Sequence, residues 1–144
     1  MPALEIQPFA EEHLDDAAAL LAERHLRHRA AEPLLPQIDD FRAEIEEAWS
    51  RDDSSGAVAI RDGTTLGYLI GAPRDSSWGA NIWVELAGHA VEDPEVVRDL
   101  YAAASERWVA EGRTCHYALV PATDAITNPT RSTSGATPMR GPRP

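Results

Sequence analysis

Five histidines, a single cysteine and a scatter of carboxylates are the residues of this 144-residue chain that could do chemistry, and their spacing decides what chemistry that is. His25 and His28 stand about one turn apart in a helical stretch, with His13 upstream, and histidines so spaced can share a metal ion. No cysteine or carboxylate completes a ligand pattern around them, and a helix C-terminus favours protonated histidine for its own reasons, so no metal is expected. Cys115 beside His116 suggests a nucleophile and its base. Neighbours in a strand point to opposite faces, however, so the two cannot pair, and Cys115 is expected to be a buried small apolar group. His89, after Gly88, reads as a turn residue at a strand end. Trp49, Trp83, Trp108 and Tyr101 read as core or half-buried packing, or as an exposed patch if they once met a second domain. No GxSxG elbow, glycine-rich nucleotide loop or zinc-ligand spacing occurs.

The elements that must position these residues follow from periodicity. Leu4–Phe9 alternates apolar and polar side chains as a half-buried strand does, with Pro8 restricting it to an edge or an end. Leu14, Ala18, Leu21 and His25 then recur at helical spacing, with acids near the start and Arg24, Arg27 and Arg29 near the end, as the helix dipole favours. Pro33 and Pro36 break that helix. A second helix, capped by Asp39 or Asp40, carries the stripe Phe41, Ile45, Ala48 and Trp49. Ala57–Ile60 and Leu66–Ile70 flank Asp62-Gly63, the signature of a tight hairpin. After a polar loop, Asn81–Leu86 reads as a strand with Ile82, Val84 and Leu86 on one face. Asp93 as N-cap, Pro94 at the first helical position and Gly112 as stop delimit a third helix with Val97, Leu100, Tyr101, Ala104 and Trp108 inward. Thr114–Val120, largely apolar, is expected to be an interior strand.

Composition narrows the function. All 24 acids and ten of the 13 basic residues, every one an arginine, lie within residues 1–124, while residues 125–144 carry three arginines and no acid. An acidic body repels nucleic acid and anionic lipid, so neither is an expected partner. No apolar run is long enough to span a bilayer and no secretory leader is visible, which leaves a cytoplasmic address by elimination. Residues 125–144 hold four prolines, four threonines and no aromatic group, too little apolar surface to offset ordering entropy, so a disordered tail is expected after a domain spanning 1–124.

The resulting order β-α-α-β-β-β-α-β, an α/β (α+β) domain with a mostly antiparallel sheet flanked by helices, resembles the GNAT N-acetyltransferase superfamily. The segments AVAIRDGTTLGYLIG (57–71), NIWVELAGHAV (81–91), residues 93–112 and HYALVP (116–121) carry the resemblance. It covers most of the chain before the tail. The chain is also similar to the degenerate first half of proteins with two GNAT domains in tandem. The resemblance implies acyl transfer from acetyl-CoA to an amine, with the cofactor's pyrophosphate on a Gln/Arg-x-x-Gly-x-Gly/Ala loop between the fourth strand and the next helix, where bare amides and the helix dipole meet the anion. Here that junction reads Leu86 to Glu95 without the glycine pattern, with Pro94 removing an amide, Asp93 capping another, and Glu92, Asp93 and Glu95 adding negative charge. By resemblance Glu85 lies in the strand where some members keep a general-base carboxylate, although a solvated strand glutamate accounts for it equally. The resemblance also implies a further helix and two strands after the fifth strand, where this chain has its proline-rich tail, so the expected fold is an incomplete one. Three functions compete: an acetyltransferase-like protein that this chain cannot run, a non-catalytic scaffold pairing as a homodimer or with a partner GNAT domain, and a gene remnant without function.

Overall fold

The computed structural model describes residues 3–121, and the expected tail and the 124/125 boundary lie outside them. The elements are β1 (Glu5–Pro8), α1 (Leu14–Ala31), α2 (Phe41–Trp49), β2 (Ser55–Arg61), β3 (Thr64–Gly71), β4 (Asn81–Val84), β5 (His89–Val91), α3 (Pro94–Ala110) and β6 (Cys115–Ala118). β1, β2, β3 and β5 form an antiparallel sheet in that order, and β4 pairs in parallel with β6. The two sheets are joined where Ala72 and Trp83 exchange backbone hydrogen bonds of 3.0 and 2.8 Å.

Each element forms for a local reason. Asp62 and Gly63, at φ of 52° and 77°, make the tight turn between β2 and β3, the conformation that a two-residue hairpin needs. Asp40 caps α2 by accepting the Ala43 amide. Period-two alternation then divides the core. Val58, Tyr68, Ile70 and Ala90 pack with Leu14, Leu21 and Ile45 beneath α1 and α2. Ala57, Ala59, Leu69 and Val91 pack with Val96, Leu100 and Trp108 beneath α3. Trp108 has no exposed surface, and its indole N–H donates to Ser55 Oγ at 2.8 Å, so the largest side chain of that layer is fixed by shape and by a hydrogen bond. Burying each such side chain contributes about 1.5–3 kcal/mol.

Three expectations need correction. The strand read as Asn81–Leu86 ends at Val84: a short 3-10 turn, Leu86–Gly88, follows, Leu86 is half exposed, and the chain returns to β3 as an additional strand, β5. Two features impose the break. A Cβ on Gly88 would stand 2.7 Å from the Ile70 carbonyl, so only glycine lets the turn lie this close to β3. The buried Arg24 of α1 donates to the carbonyls of Leu86, at 2.8 Å, and His89, holding the turn open. In α1 the buried stripe runs through Ala17, Leu20, Arg24 and His28 as well as Leu14 and Leu21, while Ala18 and His25 sit at its margin, because α1 is covered by both the sheet and α2. β6 is shorter than expected and half exposed rather than interior, because β4 is its one strand neighbour among the described residues.

Candidate functional site

The most enclosed apolar space lies where β5 and β6 diverge under α3. It is a cleft of about 290 Å³, lined by Val84, Val91, Leu100, Tyr101, His116 and Ala118 among others. The antiparallel pairing of Ala90 with Tyr68, and the Glu92 amide bonded to the Leu66 carbonyl, turn the backbone groups of Val91 away from β3 and towards this cleft. The stripe Val97, Leu100, Tyr101 and Trp108 comes from α3 at helical spacing, as its sequence pattern requires.

Polar groups converge at two places in this apolar wall. His116 Nε2 lies 2.7 Å from the Arg113 carbonyl, which can only accept, so Nε2 carries the hydrogen and Nδ1 offers a lone pair. The Tyr101 hydroxyl, 2.7 Å away, donates to that lone pair. At the opposite end, His89 is buried, and its Nε2 lies 2.8 Å from the Leu119 carbonyl, so this imidazole bridges β5 to the segment after β6. Tyr68, fully buried, donates to the Ala87 carbonyl at 2.7 Å. Burial pushes its phenol well above the usual range, an effect that the Arg24 charge partly offsets.

A second cavity of about 440 Å³ lies behind this wall, between α1, α2 and the 86–88 turn, with Leu21, Leu35, Ile38, Glu44, Leu86 and Pro121 on its surface. Alternation along two short segments separates the cavities. Val84, Ala118 and Val120 face the cleft, whereas Leu86 and Pro121 face the groove behind it.

Glu85 sits between these spaces, and its carboxylate is occupied. Arg74 Nη2 contacts both oxygens, Oε2 at 2.7 Å, and Arg51 Nη2 approaches Oε1 at 3.1 Å. The Arg74 guanidinium also stacks 4.5 Å over the Trp83 ring. Trp83 in turn stacks on Tyr117 at 4.8 Å and meets Trp78 edge-on at 5.1 Å, an aromatic cluster whose convergence is not visible in the spacing of its members along the chain. Cys115 is partly exposed rather than buried, and both ring nitrogens of His116 are engaged with other groups. The three histidines considered for metal are used separately: His13 Nδ1 accepts the Ala10 amide, His25 contacts the Pro36 carbonyl, and His28 is buried in α1. Among the described residues no group of three or more His, Cys, Asp or Glu is arranged to hold a metal ion. Nor is any helix among them long and apolar enough to cross a membrane.

The opening of α3 decides whether a diphosphate can be seated. Pro94 has no amide hydrogen, the Glu95 amide donates to Asp93 Oδ1 at 2.9 Å, and the Val96 amide donates to the Asp93 carbonyl at 3.0 Å. The donors that would meet an anion are therefore missing or taken, and the exposed carboxylates of Glu92, Asp93 and Glu95 oppose it. These residues do not fit a pyrophosphate group.

No family model matches the sequence, and no curated protein does. Solved structures do match the fold. A ribosomal-protein-alanine N-acetyltransferase from Brucella melitensis biovar Abortus 2308 is similar at a TM-score of 0.63 and 14% identity, with 99% of this chain and 96% of that one covered. The aminoglycoside N-acetyltransferase AAC(6')-Iy, solved in complex with CoA, is similar at a TM-score of 0.56 and 18% identity, covering 100% of this chain and 93% of its own. The aminoglycoside 6'-N-acetyltransferase AAC(6')-Ih from Acinetobacter baumannii gives 0.54 and 19%, with 92% and 90% covered.

Proposed function

We propose that this chain, which has the fold of the GNAT N-acetyltransferases, is an acetyltransferase-like protein that does not hold acetyl-CoA by its pyrophosphate and does not catalyse acyl transfer by itself. The neighbours in fold act, by their names, on aminoglycosides or on a ribosomal protein, and one was solved with CoA. The observation that carries the reading is the blocked first turn of α3, where Asp93 takes the Glu95 amide, Pro94 lacks one, and three carboxylates crowd the anion's place. Glu85 acts here as a clamp for Arg51 and Arg74 rather than as a base, since its oxygens are already accepting from both. Isothermal titration of the full chain with acetyl-CoA tests the reading. No saturable heat is expected up to millimolar cofactor, and micromolar binding would overturn it.

A second reading, a non-catalytic pairing domain that forms a homodimer or joins a partner GNAT domain, is favoured by the outer side of β6. No described strand pairs that edge, and Trp78, Tyr117 and Leu119 nearby are 47%, 38% and 40% exposed. Sedimentation across a concentration series tests it. A concentration-dependent dimer is expected, and a strict monomer refutes it.

A further inference from the structure

The cleft under α3 remains a well-formed apolar pocket although the anion seat beside it is blocked, and its polar groups specify what it can accept. We infer that the cleft binds a small amphipathic amine, with its apolar body against Val91, Val97 and Leu100 and its ammonium on the Tyr101 hydroxyl. The inference rests on the reading that α3 offers no place for a diphosphate.

The argument is one of complementarity. A volume of about 290 Å³ is at the small end for ligand pockets, and the wall is almost wholly aliphatic and aromatic. At its polar end, the Arg113 carbonyl fixes the hydrogen of His116 on Nε2, so the Tyr101 O–H is committed to His116 Nδ1. The phenol oxygen is left as an acceptor, and a chain of hydrogen bonds that draws its proton away makes it a better one. A ligand at this position must therefore bring a donor. Charge points the same way. Asp93 and Pro94 lie one turn before Val97 and Tyr101 on the same face of α3, with Glu92 and Glu95 adjacent, and the nearby cation of that helix, Arg98, is 3.6 Å from Glu95. The remaining cation near the cleft, Arg24, lies behind His89 and directs its donors at the carbonyls of Leu86 and His89. An acidic mouth over an apolar pocket with an acceptor inside favours an ammonium and repels a carboxylate.

The probes are n-hexylamine, n-hexanol and hexanoate, titrated into the full chain at neutral pH and low salt, and read from the indole N–H resonance of Trp108, which lines the cleft and is hydrogen-bonded to Ser55. The amine is expected to shift that resonance saturably, with hexanoate weaker by roughly tenfold or more, as expected for loss of a hydrogen bond involving a charged group. Tyr101→Phe, on an exposed position, should weaken the amine by a similar factor while leaving the circular dichroism spectrum unchanged, and Val97→Trp should abolish the shift by filling the pocket. No amine binding at millimolar concentration, equal binding of amine and hexanoate, or binding indifferent to Tyr101→Phe each overturns the inference. Displacement of bound amine by acetyl-CoA would refute the proposed function while leaving the amine site standing, so the two failures are distinct.

Discussion

Replacing Glu85 by glutamine separates a structural clamp from a proton acceptor. The substitution preserves shape and removes the charge that Arg74, 2.7 Å from Oε2, and Arg51, 3.1 Å from Oε1, now share. Unit charges about 4 Å apart attract by about 1 kcal/mol in water and about 4 kcal/mol at an effective dielectric of 20. The Glu85 side chain is 20% exposed, but its arginine partners are 36% and 43% exposed, so solvent screening removes most of the larger figure. A loss of about 1–2 kcal/mol remains, part of it from releasing Arg74 from the Trp83 ring. Urea unfolding followed by tryptophan fluorescence measures it. A double-mutant cycle with Arg74→Met should return a coupling of about 0.5–1 kcal/mol that shrinks in molar salt. A glutamine variant as stable as the parent, with no coupling to Arg74, would refute the clamp and leave the carboxylate available for proton chemistry.

Tyr68→Phe leaves the Ala87 carbonyl without its donor and should cost about 1 kcal/mol at neutral pH in the same urea assay. Because burial raises the Tyr68 phenol, the folded and unfolded chains both keep that proton below about pH 10. Above it the unfolded chain ionises first, so stability should fall by up to about 1.4 kcal/mol per pH unit, a fall that Tyr68→Phe should blunt in alkaline melts. Gly88→Ala drives a methyl group towards the Ile70 carbonyl and should cost about 1–3 kcal/mol, with amide exchange quickening at His89–Val91 as β5 loosens from β3.

Features fixed by local chemistry were legible in the sequence. Asp93 followed by Pro94 marked the start of α3, Asp62-Gly63 marked the hairpin, and the stripe Ile45–Ala48 marked the inward face of α2, because cap, turn and periodicity are encoded within a few residues. What was missed depends on residues distant in sequence. Ile82, Val84 and Leu86 alternate as a single strand would, and the break after Val84 arises from the approach of Gly88 to Ile70 and from an arginine in α1, sixty residues away. Arg24 looked like helix-end charge, and its burial is imposed by the carbonyls it reaches. The cleft was legible only in part. Val97, Leu100 and Tyr101 were assigned to one helical face, but the pairing of Tyr101 with His116 needs β6 to lie beside α3, and the meeting of Trp78, Trp83 and Tyr117 needs β4 beside β6.

The amides of Glu95 and Val96 give the most direct test of the account. In a ¹⁵N-resolved titration of the full chain with acetyl-CoA at low salt, both resonances should stay in place through millimolar cofactor, because their hydrogens are already committed to Asp93. A saturable shift of these two amides at micromolar cofactor would contradict it, since it would mean that the cap yields to a diphosphate.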